Sequence, residues 1–181
     1  MCQRESSATV RHFFLCFLHA LSTGLGIRSL LNSRLCRMLK CSVVFVSSAV
    51  EEVGESRLAQ LMTAGARFNE ACGSRAVVCF DGSRFFTYLE GAASSVAATL
   101  VYVESLAIHS ELVQLARGNV QQLRFPEQPL LFMRVTTPQL KSLVRADWTN
   151  FAQRLKGRFD PVTGMELLAD LVAQRREPAA A

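Results

Sequence analysis

Few residues in this sequence have the type and spacing that catalysis requires. His109 is the single histidine beyond the first forty residues. A catalytic histidine needs a partner that exchanges or holds its proton, and the local spacing provides none. Ser47 and Ser48 close a predicted strand, where serines usually bond the backbone. Because the sequence also contains no glycine-rich phosphate loop and no HExxH pair, it favours a binding or regulatory protein over an enzyme.

The cysteines do not form a metal-binding pattern. They stand at positions 2, 16, 36, 41, 72 and 79, and no two of them make a C-x-x-C pair. Structural zinc sites are built from closely spaced cysteines and histidines. We therefore expect no metal site. We also expect the thiols to be reduced and the protein to be cytoplasmic.

The positive charge of the chain is confined to one end. The formal net charge is +5, and residues 1–40 hold six basic side chains against one acidic side chain. The remainder of the chain is balanced in charge. A protein that binds nucleic acid usually carries a basic patch on its folded domain. We therefore expect no nucleic-acid partner.

The first 39 residues are predicted to be an extension rather than part of the domain. Residues 13–27 read FFLCFLHALSTGLGI and contain no Asp, Glu, Lys or Arg. A helix needs about 20 apolar residues to cross a membrane, so we expect no integral span. Three interpretations stay open: a disordered extension or a translation start at Met38, a helical appendage on the surface, and an export or anchoring signal.

Beyond residue 40, the hydrophobic pattern predicts strands alternating with helices. Short β-branched apolar runs indicate strands, and apolar residues at a spacing of three or four indicate helices. Ser56 and either Ser94 or Ser95 are the predicted caps of the first two helices. The predicted strands are 41–48, 74–80, 84–90, 111–116 and 129–136, and the predicted helices are 56–69, 96–107, 138–155 and 165–176.

This order of elements predicts an α+β, ferredoxin-like fold. The pattern β-α-β-β-α-β-β gives a mixed sheet with two helices on one face. We assign this domain to residues 40–136, and residues 137–181 to a C-terminal helical extension. The Asp81-Gly82 pair predicts a tight turn between the second and third strands. Alternation along the third strand predicts that Phe85, Thr87 and Leu89 share one face, opposite Phe86, Tyr88 and Glu90.

Three stretches, in this order, resemble the BLUF family of blue-light sensors that use FAD. VVFVSSA (43–49) is similar to the family's first strand. ARFNEACGSRAVV (66–78) is similar to the end of its first helix and its second strand. FDGSRFFTYLEG (80–91) is similar to its hairpin and to its signature F-L-Q-x-L-E-G. The resemblance covers about residues 41–135 and implies FAD as the cofactor.

The resemblance also implies a flavin site between the two helices, above the sheet. In that family, a tyrosine on the first strand donates an electron to the excited flavin. A glutamine on the third strand then rearranges its hydrogen bonds, and an asparagine after the first helix bonds the ring. Asn69 matches this asparagine, but Phe45 stands at the tyrosine position and Thr87 at the glutamine position.

Two further cofactor positions follow from the resemblance. His109 ends the stretch that matches the family's D-x-R-H, in which the arginine position is Ile108. Arg75 is the candidate cation to replace that arginine near a flavin phosphate. The implied cofactor-binding residues are thus Phe45, Asn69, Arg75, Thr87 and His109.

The substitutions at two of these positions predict a loss of photochemistry. Phe45 has no phenol hydroxyl. Thr87 has one hydroxyl in place of the long glutamine amide, and it is too short to bridge the strand and the flavin ring. We expect a flavin-binding regulatory domain without the usual photocycle, which contacts a protein partner through its C-terminal helices and forms a homo-oligomer. The alternative is a flavin-free interaction domain of the same fold. A small acylphosphatase-like hydrolase using Asn69 and Arg75 is a third, weaker hypothesis.

Each position also has an ordinary structural interpretation. Asn69 could simply end a helix, and Thr87 could be a common strand former. Phe45 could fill the space that a flavin would otherwise take. His109 could be a cation that caps the C-terminus of the preceding helix.

Overall fold

A computed structural model describes residues 40–125, 128–149 and 162–176, so the predicted extension 1–39 lies outside the described residues. Five strands and four helices follow one another in the predicted order. They are β1 (Lys40–Ala49), α1 (Glu55–Cys72), β2 (Ser74–Phe80), β3 (Arg84–Ala92), α2 (Ala93–Glu104), β4 (His109–Val120), β5 (Leu130–Arg134), α3 (Thr137–Arg145) and α4 (Gly164–Arg176).

The strands form one mixed sheet in the order β4-β1-β3-β2-β5. Each neighbouring pair is antiparallel except β2 and β5, which are parallel. In this arrangement β3 lies between β1 and β2, the two strands that α1 connects. This topology confirms the predicted ferredoxin-like fold.

The turn between β2 and β3 fixes which side chains face which side of the sheet. Gly82 has a φ of 103°, a backbone conformation that residues other than glycine rarely adopt. The Asp81 carboxylate accepts hydrogen bonds from the backbone N–H of Ser83 and Arg84, at 2.9 and 2.8 Å. The turn pairs Phe80 with Phe85, and the predicted alternation along β3 is confirmed.

The sheet has a hydrophobic core on each face. One core lies against α1 and α2 and includes Leu58 from the first of these helices and Val96 from the second. The other core lies against α3 and α4 and includes Leu143 and Leu168. The C-terminal helices therefore pack on the sheet face opposite α1 and α2.

The helix starts differ from the sequence prediction. Ser56 does not cap α1, which begins after Gly54 without a side-chain cap. Neither Ser94 nor Ser95 caps α2, which begins after Ala92. The Ser95 hydroxyl instead donates to the Cys72 carbonyl at 2.6 Å, so it joins the end of α1 to the start of α2. Both predicted caps are therefore wrong, because the serine that does bond at this place finds its acceptor in another helix.

Several element ends also differ from the prediction, and three of them have a clear reason or consequence. Helix α2 stops at Glu104, so Ala107 lies beyond it. Helix α3 stops at Arg145. The Trp148 indole N–H donates to the Leu143 carbonyl at 2.7 Å, so this carbonyl is bonded by a side chain instead of by the backbone N–H of a longer helix. Strand β4 extends to Val120, well past its predicted end. The prediction stopped early because polar residues on this edge strand weaken the apolar pattern there.

None of the helices in the described ranges combines the length and the apolar character that crossing a membrane would require. Residues 150–161, onto which the predicted third helix continued, lie outside the described residues.

Candidate binding cleft between the first two helices

A narrow cleft lies between α1, α2 and the sheet, with a volume of about 60 Å³. Its floor comes from β1, β2 and β3, and its walls come from the facing sides of the two helices. The described side chains that line it include no Asp, Glu, Lys or Arg. Representative lining residues are Phe45, Val78, Thr87, Leu61, Met62 and Tyr102.

The two predicted switch positions lie opposite each other on the floor of this cleft. Phe45 on β1 pairs in register with Thr87 on β3. Phe45 is fully buried and Thr87 is 6% exposed. Among the described residues, the Thr87 hydroxyl has no hydrogen-bond partner, and Thr87 faces the cavity. Both predicted positions thus lie at one place in the structure, where they present an aromatic ring and a hydroxyl that faces the cavity.

Asn69 lines the cleft, but its side-chain amide is already bonded within the protein. Its N–H donates to the Pro129 carbonyl at 2.9 Å, and its carbonyl accepts from the Ser74 hydroxyl at 3.2 Å. The Ser74 hydroxyl also lies 2.9 Å from that of Thr99 on α2. Asn69 thus ties α1 to the segment before β5 and to β2. It is not the residue that ends α1, since Gly73 takes the left-handed conformation there.

His109 reaches the cleft from the first position of β4. Its Nδ1 atom lies 2.9 Å from the Ser47 hydroxyl, and its ring meets the Phe85 ring edge-on at 4.9 Å. Burial lowers the pKa of His109 below its ordinary value. The neutral ring is therefore favoured in this apolar setting, and it adds no fixed charge to the cleft.

Arg75 does not line the cleft. Ala76 and Val78 belong to the core on the cleft side, so alternation along β2 places Arg75 on the opposite face. Its guanidinium donates to the Ser74 carbonyl at 2.9 Å. The structure thus brings together Phe45, Asn69, Thr87 and His109, but not the fifth predicted residue.

An aromatic pair at the cleft was not predicted from the sequence. Phe68 on α1 and Tyr102 on α2 stack with ring centroids 4.1 Å apart and an interplanar angle of 9°. Tyr102 also lines the cavity. The two residues are distant in sequence, and each occupies an ordinary position on an amphipathic helix, so no local pattern announced their contact.

A buried polar network on the opposite face of the sheet was also missed. The Tyr88 hydroxyl lies 2.8 Å from the Ser42 hydroxyl and donates to Glu90 at 2.9 Å. The fully buried Glu90 carboxylate also accepts from the backbone N–H of Arg124 and Phe125, at 2.8 and 2.7 Å. This network holds the β4–β5 connection against β3.

Burial affects the chemistry of two of the described cysteines. Cys41, Cys72 and Cys79 form no disulfide bond within the described residues. Burial raises the pKa of Cys79 to about 12 and also raises that of Cys72. Because the thiolate is the reactive form, burial disfavours reaction at these two groups.

The cleft as it stands does not fit a flavin ring. Pockets that hold ligands of that kind usually measure about 300–1,000 Å³, whereas this cavity measures about 60 Å³. The Asn69 amide is committed to protein partners. The cleft lies where the resemblance implied a flavin site. However, the cavity is too small for the ring, and the Asn69 amide is not free to bond it.

Comparison with known proteins agrees with this fold. The model of the BLUF family, described as sensors of blue light using FAD, matches residues 41–130. The structure of BlrB, a BLUF protein in its dark state, has a TM-score of 0.53 at 18% identity, covering 59% of this chain and 80% of that one. No curated protein matches the sequence significantly.

Two larger proteins contain a similar domain. A Klebsiella pneumoniae BlrP1 complex with manganese and cyclic diGMP has a TM-score of 0.53 at 19% identity, covering 75% of this chain and 33% of that one. A bacterial light-regulated adenylyl cyclase has a TM-score of 0.51 at 14% identity, covering 52% and 28%. At these identities the likeness shows the fold, and this chain spans a third or less of each larger protein.

Proposed function

Because residues 41–130 of this chain form a domain of the BLUF family, we propose that the chain is a regulatory domain that works without the family's light switch. The observation that carries this proposal is the pairing of Phe45 with Thr87 on the cleft floor. These two residues occupy the positions of the family's electron-donating tyrosine and hydrogen-bonding glutamine.

The chemistry of the two side chains supports the proposal. A phenylalanine has no hydroxyl to give up a proton or to bond an amide, and its ring is a poorer electron donor than a phenol. A threonine hydroxyl replaces an amide that has two N–H donors and a carbonyl acceptor. Neither side chain can take part in a rearrangement of hydrogen bonds between a strand and a ring.

Two forms of this proposal differ in whether flavin is bound. The first candidate is a domain that binds FAD but has altered photochemistry, and it is supported by the family and by the position of the cleft between α1 and α2. The second candidate is a flavin-free regulatory domain, which the small volume of the cleft favours. In both cases signalling would pass to a protein partner or a second copy through the outer sides of α3 and α4, whose inner sides pack on the sheet.

Absorption spectroscopy of the full chain, purified with added FAD, tests the proposal. Oxidised flavin absorbs near about 450 nm because of its own ring chemistry. A bound flavin band without a light-induced red shift would support the first candidate, and no band would support the second. A bound flavin with the family's normal red shift would contradict the proposed loss of the light switch. Light scattering on the same sample would report whether the chain forms an oligomer.

A further inference from the structure

The stacked rings of Phe68 and Tyr102 join the two helices that border the cleft. One ring comes from each helix, and their centroids are 4.1 Å apart, in van der Waals contact. Both residues are partly exposed. Tyr102 also forms part of the cavity wall, so this stack lies where the cavity meets the outer side of the helices.

We propose that the Phe68–Tyr102 stack is a gate that keeps a planar ring, such as that of a flavin, out of the cleft. This inference rests on the second candidate in the proposed function, the flavin-free domain, since it explains why a domain of this family would not hold its usual ligand. It assigns the exclusion to two named side chains, rather than to the buried Phe45 or Thr87 on the floor.

The contacts that hold the two helices in place do not involve the rings of the stack. The Ser95 hydroxyl donates to the Cys72 carbonyl at 2.6 Å and holds the end of α1 next to the start of α2. Asn69 is bonded to Pro129, as described above. On the other side, a Cβ added to Gly65 would lie 3.1 Å from Leu130, so α1 is already close to β5. Spreading the helices would break these contacts, whereas rotating two rim side chains would not.

The gate would act on ligand affinity through the population of the open form. A ligand that binds only the open form has its apparent affinity reduced by the fraction of protein that is open. The loss of one aromatic stack changes such an equilibrium up to about tenfold. Removing the Tyr102 ring would also enlarge the cavity, since that ring is part of its wall.

Titration of lumiflavin, the flavin ring system without phosphate or adenine, tests the gate. Quenching of lumiflavin fluorescence would be measured with the wild-type chain and with Tyr102→Ala, Phe68→Ala and Tyr102→Phe. We expect the two alanine variants, which remove opposite halves of one stack, to bind about three- to tenfold more tightly than the wild type. The Tyr102→Phe control keeps the stack and should stay within about twofold of the wild type.

Two results would overturn the gate: wild-type binding as tight as that of the alanine variants, or no binding by either alanine variant when it melts cooperatively by circular dichroism. If neither alanine variant folds, Tyr102→Leu takes their place, because leucine keeps apolar bulk but cannot stack. The light-minus-dark spectrum of an alanine variant loaded with FAD separates the two proposals. A normal red shift there would contradict the loss of the light switch while leaving the gate intact.

Discussion

Thr87 and Tyr88 are neighbours on β3, but their hydroxyl groups lie on opposite faces of the sheet. The Tyr88 hydroxyl has Ser42 and Glu90 as partners, at 2.8 and 2.9 Å. The Thr87 hydroxyl, within the part of the chain that the structure describes, has none. One face thus satisfies its buried polar groups, and the other leaves one open to a cavity.

The difference separates a face covered by helices and hydrogen bonds from a face that keeps a cavity. On the Tyr88 side, α3 and α4 cover the sheet, and burial together with the nearby Glu90 carboxylate raises the Tyr88 pKa above its ordinary value. On the Thr87 side, the cavity forgoes packing contacts that a filled core would make. The cavity and the Thr87 hydroxyl that faces it lie together on the α1–α2 face, which is where the proposed function expects a ligand.

The largest effect is expected where the Tyr88 side of the sheet is broken, at Glu90. In Glu90→Ala, the backbone N–H groups of Arg124 and Phe125 and the Tyr88 hydroxyl would all lose an acceptor. Each unsatisfied buried group costs about 1–3 kcal/mol, so the free energy of unfolding should fall by about 3 kcal/mol or more. Urea unfolding followed by circular dichroism measures this change.

Glu90→Gln is the matched control for that experiment. It keeps one carbonyl acceptor and nearly the same volume, so it should be less destabilising than Glu90→Ala. If Glu90→Ala unfolds at the same urea concentration as the wild type, the buried network does not stabilise the fold, and the two faces are not distinguished in this way.

A smaller effect is expected from pH on the cleft face. Burial lowers the His109 pKa in the folded state from its ordinary value of about 6.5. As the pH falls below that value, the unfolded chain takes up a proton that the folded chain resists. The stability that His109 contributes is therefore full above pH 6.5 and is lost as the pH falls towards the lower folded pKa.

Thermal unfolding at pH 7.5, about one unit above the ordinary histidine pKa, and at pH 5, about one and a half units below it, measures the effect. The wild type should lose stability on acidification more steeply than His109→Asn, which can keep a polar contact to Ser47 but does not titrate. Asp81 does not confuse the comparison. Burial opposes the shift, but hydrogen bonds from Ser83 and Arg84 hold the Asp81 pKa below its ordinary value, so its loss falls at more acid pH. Equal slopes would mean that His109 is not desolvated.

Local patterns in the sequence were sufficient to predict the order of the elements and the two faces of β3. Alternation over RFFTYLEG places Thr87 and Tyr88 on opposite sides because successive strand residues must point oppositely. The resemblance of the flanking motifs located the cleft floor at Phe45 and Thr87. Both predictions depend on short-range geometry or on motifs that are continuous in sequence.

Features that depend on contacts between distant segments were not predictable in this way. The Phe68–Tyr102 stack and the Ser95–Cys72 hydrogen bond join two helices whose spacing is set by the whole sheet. Arg75 was expected near the cofactor, but the strand alternation that the structure fixes sends it to the other face. A single sequence records the side chains but not the distances between helices that decide whether a cleft is open.

The smallest effect is expected at Thr87 itself. Thr87→Val replaces the hydroxyl by a methyl group of similar size, and no protein hydrogen bond is lost among the described residues. The free energy of unfolding should change by no more than about 0.5 kcal/mol. Tyr88→Phe, which removes a hydroxyl from the next residue, should cost about 1–3 kcal/mol because Ser42 and Glu90 each lose a partner. Urea unfolding of both variants side by side compares the faces directly. Equal losses would show that the Thr87 hydroxyl has a buried partner after all, and would move the site away from the cleft floor.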